Sequence, residues 1–201
     1  MTALELIVWD FDGVLNANVV DGRFVWADDL EVDIGISPDA LRKHLFADGK
    51  FLPVVRGEVD LLDVVATMLI KLDVDVSADD LIAYWFEKDA HADERVLAHL
   101  SRPYRHVIGT NNEALRAAFI EGAMGLGARV EHVFASGRIG VAKPDEAYFR
   151  QIEAWSGLSG AQIALIDDAP RNVEAAEALG WRAHLFTENG HDALTEWLEA
   201  Q

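Results

Sequence analysis

The chain places aspartates at positions 10 and 12, with Gly13 directly after them, at the end of a short apolar run, Ile7-Val8-Trp9. Carboxylates at a strand end cannot be left unpaired against apolar surroundings, because burying a charge without a partner is costly. They must face a cation or a solvated cleft, and a glycine there lets the backbone turn closely around whatever is bound. Three further signals are spread along the chain: Thr110-Asn111, Lys143 and Asp167-Asp168. Carboxylate oxygens hold hard divalent cations and serve as nucleophiles or proton carriers, whereas hydroxyl, carboxamide and ammonium groups bind anions. Each signal taken singly also has a plainer reading. Asp10-Phe11-Asp12-Gly13 is then an acidic turn, Thr110-Asn111-Asn112 a helix cap and Lys143 a solvated charge.

The elements that must position these residues follow from periodicity. Ile7-Val8-Trp9 reads as a buried parallel strand that delivers Asp10 and Asp12 to the carboxyl edge of a sheet, where open α/β sheets keep their ligands. From Ala17 to about Arg95 the pattern turns helical. Ser37-Pro38-Asp39 opens one helix carrying Leu41, Leu45 and Phe46. Glu58 to Lys71 repeats Leu61, Leu62, Val65, Met68 and Leu69 at helical intervals, and Ser77-Ala78-Asp79-Asp80 opens a third helix with Leu81, Ile82, Trp85 and Phe86. No strand is expected in this segment, and Trp26, Trp85 and Phe86 read as its internal core. After Pro103, strands and helices alternate. Strands are expected at Tyr104–Gly109, Glu131–Ala135, Ile163–Ile166 and Arg182–Phe186. Helices are expected with Leu115, Ala118, Phe119 and Met124 on one apolar face, after Lys143-Pro144-Asp145, and from Val173 to Leu179 before Gly180. The fold class is therefore α/β: a Rossmann-like parallel sheet flanked by helices, in residues 1–16 and 96–201, with a small all-helical cap, residues 17–95, inserted after the first strand.

The order and context of the four signals resemble the haloacid dehalogenase superfamily of hydrolases, specifically phosphatases with a helical cap after the first strand. Gly140-Val141-Ala142-Lys143-Pro144 and Ile166-Asp167-Asp168-Ala169-Pro170-Arg171-Asn172 look most like small sugar-phosphate phosphatases and the phosphatase domains fused to epoxide hydrolases. The resemblance implies a Mg²⁺-dependent phosphatase for small phosphorylated metabolites. Asp10 would be the nucleophile that forms an aspartyl-phosphate, and also a metal ligand. Asp12 would protonate the leaving oxygen and then deprotonate the attacking water, its backbone carbonyl helping to hold the metal. Thr110 and Asn111 would bind phosphate oxygens, Lys143 would neutralise phosphate and Asp10, and Asp168 would complete the metal contacts. Asp167 stands where a glycine is more usual in the family, and is expected to reach the metal through a neighbour or a water, with direct ligation open. Asn172 stands where many relatives have aspartate and is expected to orient Asp168. A phosphomutase using the same intermediate, a dehalogenase, and a non-catalytic binding protein on this fold are the alternatives. Dehalogenases of the superfamily need neither the metal nor an acid two residues after the nucleophile.

Composition bounds these readings. The 201 residues, 51% hydrophobic with six tryptophans, suffice for one domain with a smaller insert. Against 17 basic residues stand 35 acidic ones, and the formal charge of -18 repels nucleic acids and anionic membranes. No run of 18 apolar residues and no signal-like segment is visible, so a cytoplasmic protein is expected. The lack of cysteine excludes disulfides and thiol chemistry, and the seven histidines lack paired ligand spacing. Arg23, Arg56 and Glu58 read as solvated surface of the insert. Oligomeric state is not legible, since apolar helix faces fit a core or an interface equally.

Overall fold

The computed structural model describes residues 2–21 and 23–201. Among the described residues seven strands follow in chain order: β1 (Leu6–Trp9), β2 (Val19–Val20), β3 (Arg23–Phe24), β4 (Arg105–Thr110), β5 (His132–Ala135), β6 (Ile163–Asp167) and β7 (Arg182–Leu185). Five of them form one parallel sheet in the order β5-β4-β1-β6-β7, with β1 between β4 and β6. The chain thus steps outward from β1 to β5 and crosses back to β6. Strand order reverses beside β1, where a crevice opens at the carboxyl edge.

Both faces of the sheet are covered, which explains why the strands read as continuous apolar runs rather than alternating ones. Ile7, Trp9, Ile108, Ala164 and Ile166 point to one face, against Val96, Ala117, Ile120, Leu194 and Leu198. Leu6, Val8, Val107, Ile163 and Leu165 point to the other, against Tyr148, Phe149, Ile152 and Ala176. All four β1 residues are fully buried, and each large side chain so buried contributes about 1.5–3 kcal/mol. The helices following the strands start as their caps dictate. Asp145 accepts a hydrogen bond from Ala147 N to open Glu146–Ser156, and Pro170 occupies the first turn of Pro170–Ala178, which begins three residues before the expected Val173.

Residues between β1 and β4 gather around a separate apolar cluster that includes Trp26, Leu30, Leu45, Val65, Met68, Leu81 and Phe86. Trp26 stacks on Trp85 at 4.8 Å between ring centroids. The expected helices are present: Ser37 caps Pro38–Leu41, Asp60 caps Leu61–Leu72 and Ser77 caps Ala78–Lys88. An all-helical segment was the expectation, and the correction is a hairpin of β2 with β3. Its two-residue arms are too short for strand alternation to register in the sequence. A second correction concerns the helix Ala114–Glu121. It buries Arg116, Ala117 and Ile120, whereas Leu115 is 45% exposed. The sequence pattern missed this because an arginine occupies the buried stripe. Arg23 and Glu58 are exposed and Arg56 is half-buried. Among the described residues no helix is long and apolar enough to cross a membrane.

Candidate active site

β1 and β6 are neighbours in register, so the residues that leave their carboxyl ends, Asp10 and Asp167-Asp168, meet. Asp10, Asp167 and Asp168 each bring a carboxylate oxygen to within 4.8 Å of the others. Lys143 arrives from the loop beyond β5, and its Nζ lies 3.0 Å from Asp10 Oδ1 and 2.6 Å from Asp167 Oδ2. Gly13 has a φ of +74°, and a Cβ there would collide with the Asp168 carboxylate. Glycine is therefore required for both conformation and space.

Asp167 is the most completely satisfied of these acids. Besides Lys143, its Oδ1 accepts from Ala169 N at 2.9 Å, and Asn172 Nδ2 donates to both oxygens at 2.9 and 3.1 Å. Asn172 thus orients Asp167, which corrects the expectation that it orients Asp168. The carboxamide donates to the strand-end residue rather than to its half-buried successor. Burial pushes the Asp167 carboxyl up, but the Lys143 ammonium and these donors outweigh it and hold it below the usual range. Asp10 goes the other way. Burial first and the Asp167 charge second hold its carboxyl well above the usual range, against the pull of Lys143. Asp168, with burial as the main cause and Asp167 next, is pushed up to about 6. Three carboxylates crowd this edge, and the arrangement calls for more positive charge than Lys143 supplies. Its oxygen-only donor set fits a hard divalent cation, with Asp10 and Asp168 the acids that keep free lone pairs.

Asp12 stands apart from that cluster. Its Oδ1 accepts from Asn18 Nδ2 and its Oδ2 from Asn112 Nδ2, each at 2.7 Å. Asn112 Nδ2 also donates to the buried Thr110 Oγ1 at 2.7 Å. Asn111 is engaged elsewhere: Nδ2 donates to Lys143 O at 2.9 Å and Oδ1 accepts from Lys143 N at 2.8 Å. Thr110 and Asn111 thus have different partners. Asn111 fixes the backbone of the lysine, and Thr110 sits under Asn112.

Solved structures share this fold. A HAD-like family hydrolase from Porphyromonas gingivalis matches with a TM-score of 0.78 and 21% identity, covering 100% of both chains. A HAD family enzyme from Bacteroides thetaiotaomicron, in complex with magnesium and inorganic phosphate, matches at 0.77 and 18%, covering 93% of this chain and 96% of that one. The chain has the haloacid dehalogenase fold. An L-2-haloacid dehalogenase from Xanthobacter autotrophicus with chloropropionic acid covalently bound is a more distant example, at 0.67 and 16%, covering 98% of this chain and 83% of that one. No family model and no curated protein matches the sequence.

On this haloacid dehalogenase fold, sequence reasoning missed a group of residues where the chain leaves for the insert and returns. Asn16 and Asn18 are fully buried. Asn16 Nδ2 donates to Asp89 O at 2.7 Å, and its Oδ1 accepts from His91 N at 2.6 Å. Asp89 pairs with Arg116, both nearly inaccessible, and burial, reinforced by Asp12, pushes its carboxyl up to about 7. Buried asparagines six and eight residues after the first aspartate were the only available signal, and they carry no periodicity.

Proposed function

We propose that this chain is a Mg²⁺-dependent phosphatase for small phosphorylated metabolites, sugar phosphates among them, working through an aspartyl-phosphate on Asp10. The observation that carries the reading is the buried Lys143 ammonium, 3.0 Å from Asp10 and 2.6 Å from Asp167, beside a third acid, Asp168. Such a centre suits a dianionic phosphoryl group, since fixed positive charge and displaced carboxylates meet at one strand edge. The Bacteroides neighbour in complex with magnesium and inorganic phosphate supports the same reading. In it, residues 1–16 and 96–201 are the catalytic core and residues 17–95 a cap that shields the reaction from water. A cavity of about 400 Å³ lined by Gly13, Val19, Val20, Asp168 and Thr187 lies beside these acids and has room for a small metabolite.

Asp10 and Asp168, with the Asp12 backbone carbonyl, would hold Mg²⁺, which supplies charge to the phosphoryl oxygens and relieves the repulsion among the carboxylates. An Asp10 oxygen attacks phosphorus, the bond from phosphorus to the ester oxygen breaks, and Asp12 in its acid form gives that oxygen its proton. Water then attacks phosphorus, Asp12 takes the water proton, and the Asp10–phosphorus bond breaks to free phosphate. Each Asp12 oxygen accepts one carboxamide donor, so a lone pair remains for the proton. Lys143 balances the charge on Asp10 and on the phosphoryl group throughout, and Asn111 holds the lysine backbone in place. Asp12 and Asp168 favour phosphate over an organohalide substrate, for which neither a leaving-group acid nor an oxygen-rich cation site is needed.

The test is phosphate release from a metabolite-phosphate panel, with Mg²⁺ and with chelator. Turnover is expected only with the metal, and Asp10→Asn is expected to lower it by at least about a thousandfold while leaving the fold intact. Folded Asp10→Asn protein with near wild-type turnover would sink the assignment. Turnover that depends on added sugar bisphosphate would instead make the chain a phosphomutase.

A further inference from the structure

Asp12 is gripped by two carboxamides, and one of them is anchored outside the site. Asn18 Nδ2 donates to Asp12 Oδ1 at 2.7 Å and to Asp89 Oδ2 at 2.9 Å, while its Oδ1 accepts from Gly13 N at 3.1 Å. Only one orientation of the amide satisfies this set, because carboxylates must accept and a backbone N–H must donate. Asp89 follows the helix Ala78–Lys88 of the insert, and the same Oδ2 pairs with Arg116 Nη2. Arg116 belongs to the helix Ala114–Glu121 beside the sheet. Its Nη1 donates to Phe86 O at 3.1 Å, and its guanidinium lies 5.0–5.5 Å from the ring centres of Phe11, Phe86 and Phe119. Asp89 Oδ1 has no hydrogen-bond partner. Every side-chain restraint that Asp89 passes on therefore runs through Oδ2, from Arg116 to Asn18.

We infer that Asn18 is a positioning residue for Asp12, and that Arg116 and Asp89 hold Asn18 in place, so that the end of the insert's last long helix aims the proton-carrying carboxyl. The inference rests on the phosphatase reading for its chemistry. An aspartate carboxyl is otherwise free to turn about two side-chain torsions, whereas proton transfer needs it within hydrogen-bond reach of the ester oxygen. Asn112 fixes one oxygen from the sheet and Asn18 fixes the other from the insert. Lifting the end of the helix off the sheet would separate Asp89 from Arg116 and leave Asn18 anchored at one side only.

General acid assistance matters most for a poor leaving group, and kcat/KM reports only the steps through ester cleavage. Asn18→Ala and Asp89→Ala should therefore lower kcat/KM for a simple alkyl phosphate about tenfold more than for p-nitrophenyl phosphate. Asp89 does not touch Asp12, so a selective loss there marks action through Asn18, and an equal loss on both esters would overturn the proposal. A second measurement is independent of turnover, and its first part needs only the wild-type protein. In wild-type protein the Asn18 side-chain amide protons, followed by NMR, should exchange slowly with solvent and their signals should move in Asp12→Asn. Fast exchange in the wild type would overturn the relay. If the wild type hydrolyses neither ester, the phosphatase reading fails and the amide signals alone decide whether the relay exists.

Discussion

Two buried ion pairs, one at the sheet edge and one where the insert returns, behave differently. At the sheet edge Lys143 meets Asp167, with side-chain exposures of 1% and 0%; at the junction with the insert Arg116 meets Asp89, at 3% and 4%. Desolvation is severe in both. Asp167 has donors on both oxygens, from Lys143, Asn172 and Ala169 N, and is held ionised. Asp89 concentrates its partners on Oδ2, leaves Oδ1 bare and is pushed up to about 7, chiefly by burial. The number and placement of donors, rather than depth, decides which buried carboxylate keeps its charge. Lys143 is a point charge that serves Asp10 and Asp167 together, whereas Arg116 is a flat fork stacked among rings that serves one oxygen and one carbonyl.

The largest test of this contrast removes each cation in turn. Lys143→Met leaves Asp10 and Asp167 buried with no compensating charge and should destabilise the protein by about 3–5 kcal/mol at pH 7.5, besides abolishing turnover. Arg116→Met should cost less, because Asp89 already sits near neutrality and can take up a proton once its partner is gone. Urea unfolding of both variants beside wild type decides the matter. Equal losses, or a larger one for Arg116→Met, would break the comparison.

These two pairs also differ in how far the sequence reveals them. Lys143, Asp10, Asp167 and Asp168 are legible because each follows a strong strand or precedes a helix, and the parallel sheet then brings strand ends together. The expected strands of that sheet are all present within a residue or two at each end. Side-chain direction is another matter. Nothing local says that Asn172 turns to Asp167, or that Asn111 bonds a lysine backbone 32 residues away. Arg116 was hidden because charge in an amphipathic helix normally marks the solvent face, and its partner Asp89 lies 27 residues earlier, beyond the end of another helix. The short β2–β3 hairpin and the buried Asn16 and Asn18 are settled by tertiary contacts alone.

The two carboxyls should also separate with pH. A carboxyl whose folded value is raised contributes stability that is complete below its unfolded value near 3.8 and is lost as pH rises through the folded value, about 7 for Asp89 and about 6 for Asp168. Asp167, held low, contributes stability above 3.8 that is lost only as pH falls through its depressed value. In chelator, these two carboxyls should therefore make the melting temperature decline from pH 5 to pH 8, against the opposite contribution of His99, His106 and His184, which burial holds below the usual histidine value. Asp89→Asn should flatten the upper part of that decline, since the carboxamide carries no charge to desolvate. Added Mg²⁺ should raise the melting temperature more at pH 8 than at pH 5, through Asp10 and Asp168. An unchanged slope in Asp89→Asn would show that the junction acid is not the group being titrated.

The smallest effect expected comes from thinning the donors on Asp167 while keeping its lysine. Asn172→Ala removes the carboxamide that donates to both oxygens, at 2.9 and 3.1 Å, yet leaves Lys143 at 2.6 Å and Ala169 N at 2.9 Å. Hydrogen bonds to charged groups contribute about 1.5–3 kcal/mol, so the loss should fall in that range and below that of Lys143→Met. With fewer donors, Asp167 should move toward the behaviour of Asp89. Its carboxyl should rise, and the acid-side loss of stability, set in wild type below pH 3.8, should begin at higher pH. Acid titration of unfolding for wild type and Asn172→Ala reads both effects at once. An acid midpoint that stays put while stability drops would mean that Lys143 alone keeps Asp167 ionised, and that donor count is not what distinguishes the two pairs.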